Sequence, residues 1–383
     1  MTTEEALFCL LRNEICGVPL PVDFNLTDQI EDIYLLSKRH DIAHLIGDAI
    51  CRNNLLSESK ILYAFKQQMM MAVYRYEQQN AEFKRICEAF DEAKIPYIPL
   101  KGTVIRKYYP EPWMRTSCDI DILVKKEDYF NAGNYLAEKL NYKLQDYNSH
   151  DVSLYFTNNI HIELHHSLIE ENYLESTDKI LDSVWNNVTP CENSVNNNMS
   201  DEMFYFYHIA HMAKHLKCGG CGIRPFIDLY VLNHKVEFDK SKRNELLIEG
   251  GLLKFAEVSE KLSEIWLGTE NHDETTLLLQ DFIINGGVYG NIQNRATISK
   301  ETTKKRSKFS YVWKPYDELK FWYPRLAKHK WLLPFYEVKR WFTIVFGGAL
   351  AYKFKERKVL KDTEREEIEK SEELISSLGL KQD

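Results

Sequence analysis

This 383-residue chain contains no Walker A pattern and no G-x-G-x-x-G fingerprint, so neither a P-loop kinase nor a dinucleotide-binding dehydrogenase is supported. No window approaches the ~20 apolar residues of a membrane-spanning helix. The nearest, residues 341–354 (WFTIVFGGALAYKF), is shorter and carries two glycines. Basic excess is missing too: the net charge of −8 lacks the footprint of a protein that coats long nucleic acid. Eight cysteines in a chain this long are too sparse for a disulfide framework. The opening MTTEEALFCLLRNEICG lacks the basic start and long apolar run of a signal peptide. Together these absences point to a reducing cytoplasm.

What is present divides the chain into four parts. Residues 1–94 read as a helical region, with apolar residues at helical spacing through 60–94 and the Met69-Met70-Met71 run as core filler. Residues 95–170 alternate short apolar strands with helical stretches, a small mixed α/β core. Residues 171–345 return to helix, with one mobile polar loop, CENSVNNNMS. Residues 346–383 make a charged helical tail. The expected fold class is α+β, a small mixed sheet flanked by N- and C-terminal helical regions. Residues 341–354 read as a helix packed on the body. The alternative is contact with a membrane surface, since Trp322, Trp331 and Trp341 lie among Lys and Arg.

One strand stands out. In RTSCDIDILV, residues 115–124, the period of two puts Asp119 and Asp121 on one face and Ile120 and Ile122 on the other. Like charges side by side destabilise a sheet unless something offsets them. A second strand, residues 160–164, repeats the arrangement: Ile160, Ile162 and Leu164 face one way, while His161, Glu163 and His165 face the other. Carboxylates on two strands of one small unit suit a hard divalent cation that shares its shell with phosphate and water.

Leu100-Lys101-Gly102, Arg115 and the DIDILV strand resemble the signature of the uncharacterised nucleotidyltransferase group in the polymerase-β-like nucleotidyltransferase superfamily. The stretch from Tyr207 through His208, His211, Lys214 and His215 extends the resemblance. So do Gly222-Ile223-Arg224, Asp228 and Gly286-Gly287, which brings it to roughly residues 60–340. The resemblance implies a nucleotidyltransferase core and transfer of a nucleoside monophosphate from a triphosphate such as ATP to an acceptor hydroxyl, with pyrophosphate released. It implies Mg²⁺ or Mn²⁺ held by Asp119, Asp121 and Glu163, with Glu163 nearest the attacking group. Gly102 would let the backbone approach the triphosphate. The acceptor would be a small molecule or a protein.

The sequence departs from the superfamily at the turn, where Lys101-Gly102-Thr103 replaces the usual Gly-Ser and the gap to Asp119 is longer. Lys101 would then meet phosphate as a point charge, and Thr103 would supply the hydroxyl. Arg115 either holds phosphate or forms a surface ion pair. The altered turn leaves a second reading open, an inactive nucleotidyltransferase-like module that binds nucleotide or a partner.

His211, His215, Cys218 and Cys221 have spacing compatible with zinc. Gly219-Gly220 also reads as a helix stop, however. The preferred reading puts His208, His211 and His215 on one helical face toward the cleft. His161, His165, His211, His215 and Arg224 are thus acceptor or cleft candidates, with Arg224 and Asp228 expected to pair at i,i+4.

Overall fold

A computed structural model describes residues 1–26, 28–148, 150–156, 160–170, 174–288, 290–302, 314–346 and 365–381. Up to residue 93 the chain is helical, as its periodicity predicts: α1 (Thr3–Cys16), α2 (Ile30–Arg39), α3 (Ala43–Arg52) and α4 (Lys60–Ala93). The Ser59 hydroxyl caps α4 by accepting the Leu62 amide. The helix ends where Lys94 turns left-handed at φ 56°, just ahead of Ile95-Pro96. The Met run is not core filler throughout. Met70 and Met71 face solvent, because a helix that packs along one side cannot bury three consecutive residues.

Five short strands follow, threaded by α5 (Gly102–Ile105) and α6 (Tyr129–Leu140). They are β1 (Tyr97–Pro99), β2 (Asp119–Val124), β3 (Lys143–Tyr147), β4 (Asp151–Tyr155) and β5 (His161–His165). They pair in the order β1-β2-β5-β4-β3. Only β2 and β5 run parallel; the other neighbours are antiparallel. The sheet is therefore mixed and the fold is α+β. Its apolar face, which includes Ile120, Ile122, Val152, Leu154, Ile162 and Leu164, packs under α4 and α6 through Phe90, Tyr129 and Leu136.

Beyond the sheet come α7 (Glu175–Asp182) and a small hairpin of β6 (Val188–Pro190) and β7 (Asn197–Met199). Helices α8 (Asp201–Lys217), α9 (Arg224–Lys235), α10 (Lys240–Glu249), α11 (Leu253–Leu267), α12 (Glu274–Gly286) and α13 (Ile292–Thr302) complete this part. The CENSVNNNMS segment, expected as a mobile loop, instead forms this hairpin's turn and second strand. Asp91 at the end of α4 holds it by accepting from the Ser194 hydroxyl and the Val195 amide. Helices from both ends of the chain share one apolar core, which joins Leu7, Leu11 and Ile46 to Phe206, Phe255 and Trp266.

The expected 341–354 helix is described only to Phe346, as the end of a helix spanning Leu333–Phe346. Residues 347–364, including the start of the charged run, lie outside the described residues, as does Tyr289. Arg365–Ser377 is helical, but its end is not a solvated polar tail. Leu374, Ile375, Leu378 and Leu380 are buried in the shared core. No described helix is long and apolar enough to cross a membrane.

Candidate active site

The acidic face of the sheet follows from strand register. Because β2 and β5 run parallel, Asp121 lies opposite Glu163, Asp119 opposite His161 and Leu123 opposite His165. The antiparallel β4 extends each row, with Ser153 beside Glu163, Tyr155 beside His161 and Asp151 beside His165. Alternation sends the isoleucines of both strands into the core beneath, so the carboxylates are fixed to a rigid support on the other side.

One cation reaches this face from the β1-to-α5 turn. Lys101 holds φ 47° and ψ −121°, a conformation costly for a residue with a Cβ. Its Nζ donates to Asp121 Oδ1 at 2.8 Å, and His165 Nε2 donates to the same oxygen at 2.9 Å. Glu163 Oε2 lies 3.6 Å from that imidazole nitrogen. Burial alone would raise Asp121, but the Lys101 ammonium and the His165 hydrogen bond outweigh it and hold the carboxyl well below the usual range.

Its neighbours move the other way. Burial, then the charge on Asp121, pushes Glu163 up to about 7 despite Lys101 and His165. The same two causes raise Asp119. Burial would lower Lys101, but Asp121 and the surrounding acids keep it well above its ordinary value. His165 is likewise lowered by burial and raised, on balance, by Asp121. The three carboxylates are thus pushed apart in acidity, which is what crowded like charges do in a site short of positive charge.

Helices α8 and α9 form the opposite wall. His211 and His215 bring their Nε2 atoms within 3.1 Å, so one donates and the other accepts. Burial first, and the Lys101 and Lys214 charges after it, lower both; His215 falls to about 4, leaving this pair neutral. His208 is anchored to the Pro225 carbonyl at 3.0 Å. Lys214 pairs with Glu170. Between the two walls lies a cavity of ≈ 330 Å³, lined from the sheet side by Lys101, Asp119, Asp121 and Glu163 and from the helices by His211, Lys214, His215 and Arg224.

Eleven of the residues picked for the site line this cavity: Lys101, Gly102, Arg115, Asp119, Asp121, Glu163, His165, His208, His211, His215 and Arg224. Two do not. The Thr103 hydroxyl donates to the Leu100 carbonyl, and His161 engages Ser153 Oγ at 3.0 Å while stacking on Tyr155. Gly102 has a packing reason of its own. A Cβ there would come within 3.2 Å of Ser117 and 3.4 Å of the Arg115 guanidinium.

The expected Arg224–Asp228 pair does not form. Arg224 reaches back to Asp41 at 2.8 Å, and Asp228 accepts from Arg115 Nε at 2.7 Å and from the Tyr109 hydroxyl at 2.7 Å. The i,i+4 spacing loses because two buried donors, more than a hundred residues upstream, converge on Asp228. Arg115 is accordingly a buried ion pair at the cavity wall, its guanidinium also bonded to the Thr116 carbonyl.

Sequence reasoning missed His150, Asp151 and Glu170. Asp151 begins β4 and lies opposite His165, at a strand end where alternation gives the weakest signal. His150 and Asp151, with His165, form one of three groupings with metal-ligand spacing among the described residues. The others are Asp121, Glu163 and His165, and Asp119, His161 and Glu163; neither Cys218 nor Cys221 belongs to any of them. The donor chemistry of the acidic face fits a divalent cation. Glu163 comes within metal-ligand spacing of Asp121 in one group and of Asp119 in another, and the raised Asp119 and Glu163 mark the shortfall of positive charge that a cation would relieve.

A family model described as "Uncharacterised nucleotidyltransferase" matches residues 27–268, a span that includes the whole sheet and both walls of the cavity. No curated protein and no solved structure matches the chain.

Proposed function

The chain belongs to the uncharacterised nucleotidyltransferase family, and on that premise we propose that it moves a nucleoside monophosphate from a nucleoside triphosphate to an acceptor hydroxyl. The acceptor oxygen forms a bond to the α-phosphorus, the bond to the β-phosphate breaks, and pyrophosphate leaves. The observation that carries this reading is the convergence of Asp119, Asp121 and Glu163 on one face of the cavity, with Lys101 beside them.

Each residue has a role that its surroundings support. Asp119, Asp121 and Glu163 would hold a divalent cation, Mg²⁺ or Mn²⁺, which when bound supplies Lewis-acid charge at the phosphates. Lys101 projects from a strained turn into the acidic face and presents a fixed ammonium to phosphate oxygens. Glu163, paired in register with Asp121 on the cavity face, would lie nearest the acceptor hydroxyl and orient it or take its proton. His211 and His215, which line the cavity opposite the sheet, would hydrogen-bond the acceptor. Arg224, held by Asp41, lines the same wall.

The Lys101–Asp121 ion pair favours the rival reading, a module that binds nucleotide without turnover, because it already neutralises one of the acids. Pyrophosphate release separates the two. The full chain with each of the four common nucleoside triphosphates and Mg²⁺ is expected to release pyrophosphate from at least one, slowly to water and faster with an acceptor. Nucleotide binding without any release would overturn the enzymatic reading in favour of the module.

A further inference from the structure

The helix Leu333–Phe346 is inside out. Its buried side carries charge: Glu337 is 1% exposed and Arg340 5%, joined by a 2.7 Å ion pair. Glu337 also accepts the Lys314 amide at 2.6 Å, which fastens the helix to the segment before it. Its outer side is apolar. Phe335 is 65% exposed, Val338 57% and Phe342 61%, and Trp331, just before the helix, is 78% exposed. The spacing of four, three and four residues puts them on one stripe. A helix on a water-soluble body shows the reverse pattern, with apolar residues inward and charge outward.

Charge is distributed unevenly along the chain. Residues 320–342 carry 6 Lys or Arg against 1 Asp or Glu, while the rest of the chain carries 43 against 56. Arg325, Lys328, Lys330 and Lys339 are exposed beside the apolar face. An anionic surface therefore attracts this part of the molecule and repels the remainder, which fixes the orientation of approach.

We propose that the Trp331, Phe335, Val338 and Phe342 stripe, with its flanking lysines and arginines, docks the protein on an anionic lipid bilayer. The helix lies along the interface, apolar side down. A bilayer fits better than nucleic acid. The stripe is a convex helical ridge that includes the aliphatic Val338, whereas single strands are held by aromatic platforms in a groove. Tryptophan and phenylalanine among basic residues are the side chains that settle at the boundary between headgroups and acyl chains.

The test is flotation of the full chain with vesicles of phosphatidylcholine, alone or with about one third phosphatidylserine. The protein is expected to float with the anionic vesicles and to bind the zwitterionic ones on the order of tenfold less. The double variant Phe335→Ser with Val338→Ser should lose flotation while keeping its melting temperature and, without vesicles, its pyrophosphate release. No flotation by the unaltered chain would overturn the proposal, as would flotation that the double variant leaves intact. Two further outcomes also count against it: single-stranded RNA retained through the stripe without flotation, and a dimer that the double variant dissolves without flotation.

Discussion

Two buried charge clusters sit within one cavity wall of each other and behave in opposite ways. In the first, Arg115, Asp228 and Tyr109 balance: one guanidinium, one carboxylate held below its ordinary pKa by Arg115 despite burial, and one hydroxyl, all at hydrogen-bond distance. In the second, Asp119, Asp121 and Glu163 face the Lys101 ammonium and the imidazoles of His161 and His165, and only Asp121 is pulled down while the others are pushed up. The first cluster is closed and holds the walls together. The second is left short of positive charge on the cavity side. Saturated charge marks structure; unsaturated charge, held rigidly, marks a place where a ligand completes the set.

Substitution on each side should separate the two clusters, and the largest effect falls on the open one. Asp119→Asn is expected to lower turnover by about three orders of magnitude, since a cation at such a site supplies several kcal/mol of charge stabilisation. Its melting temperature in the absence of metal should hold or rise, because a like charge is removed. Wild-type turnover in this variant would erase the distinction.

In the closed cluster the effect should instead be on folding. Asp228→Asn leaves Arg115 buried without its counter-charge, at a cost of about 3 kcal/mol. Denaturant titration should show that loss, and a midpoint like the wild type's would mean that the cluster is not the clasp described here.

Lys101 bridges the two behaviours, since it neutralises Asp121 and also faces the cavity. Lys101→Ala should raise the KM for nucleoside triphosphate about tenfold, with a smaller fall in kcat, if the ammonium mainly holds ground-state phosphate. Equal losses in kcat and kcat/KM would instead make it a transition-state contact.

The smallest effect is a pH slope. Burial and Asp121 push Glu163 up to about 7, so in the metal-free protein it is protonated below that pH. A cation needs the carboxylate, so Mn²⁺ affinity should climb by up to about tenfold per pH unit below 7 and level off above it. Stability runs the other way. Folded Glu163 keeps its proton to higher pH than the unfolded chain, whose carboxyl titrates near the ordinary 4.5, so the metal-free fold loses stability as pH rises from there through about 7. Calorimetric titration of Mn²⁺ at several pH values checks the slope, and Glu163→Gln should flatten it.

Much of the acidic face was legible in the sequence. A two-residue period is a local property, so DIDILV and HIELH announce which side chains share a face before any strand is paired. The α4 helix, its stop before Ile95-Pro96 and the Lys101-Gly102 turn were legible for the same reason: each depends on a few adjacent residues. Asp151 was missed because it stands at a strand end, where alternation is weakest. The Met69–Met71 run and the CENSVNNNMS segment were misjudged because composition says what a segment is made of, not what it packs against.

By itself, then, the sequence determined the strands of the acidic face, the long α4 helix and the side of each of those strands that carries chemistry, because backbone sterics and side-chain period act over a few residues. Tertiary structure alone decided that β2 and β5 lie side by side and so put Asp121 opposite Glu163. It also decided which partner each charged group takes. Arg115 meets Asp228 across 113 residues and Arg224 meets Asp41 across 183, although Arg224 and Asp228 stand at the spacing of a helical pair. The inverted face of Leu333–Phe346 belongs to the same class, since a hydrophobic period shows that a stripe exists and not whether the body or the solvent lies beneath it. Ion pairing and burial depend on which surfaces meet, and those surfaces come from distant parts of the chain.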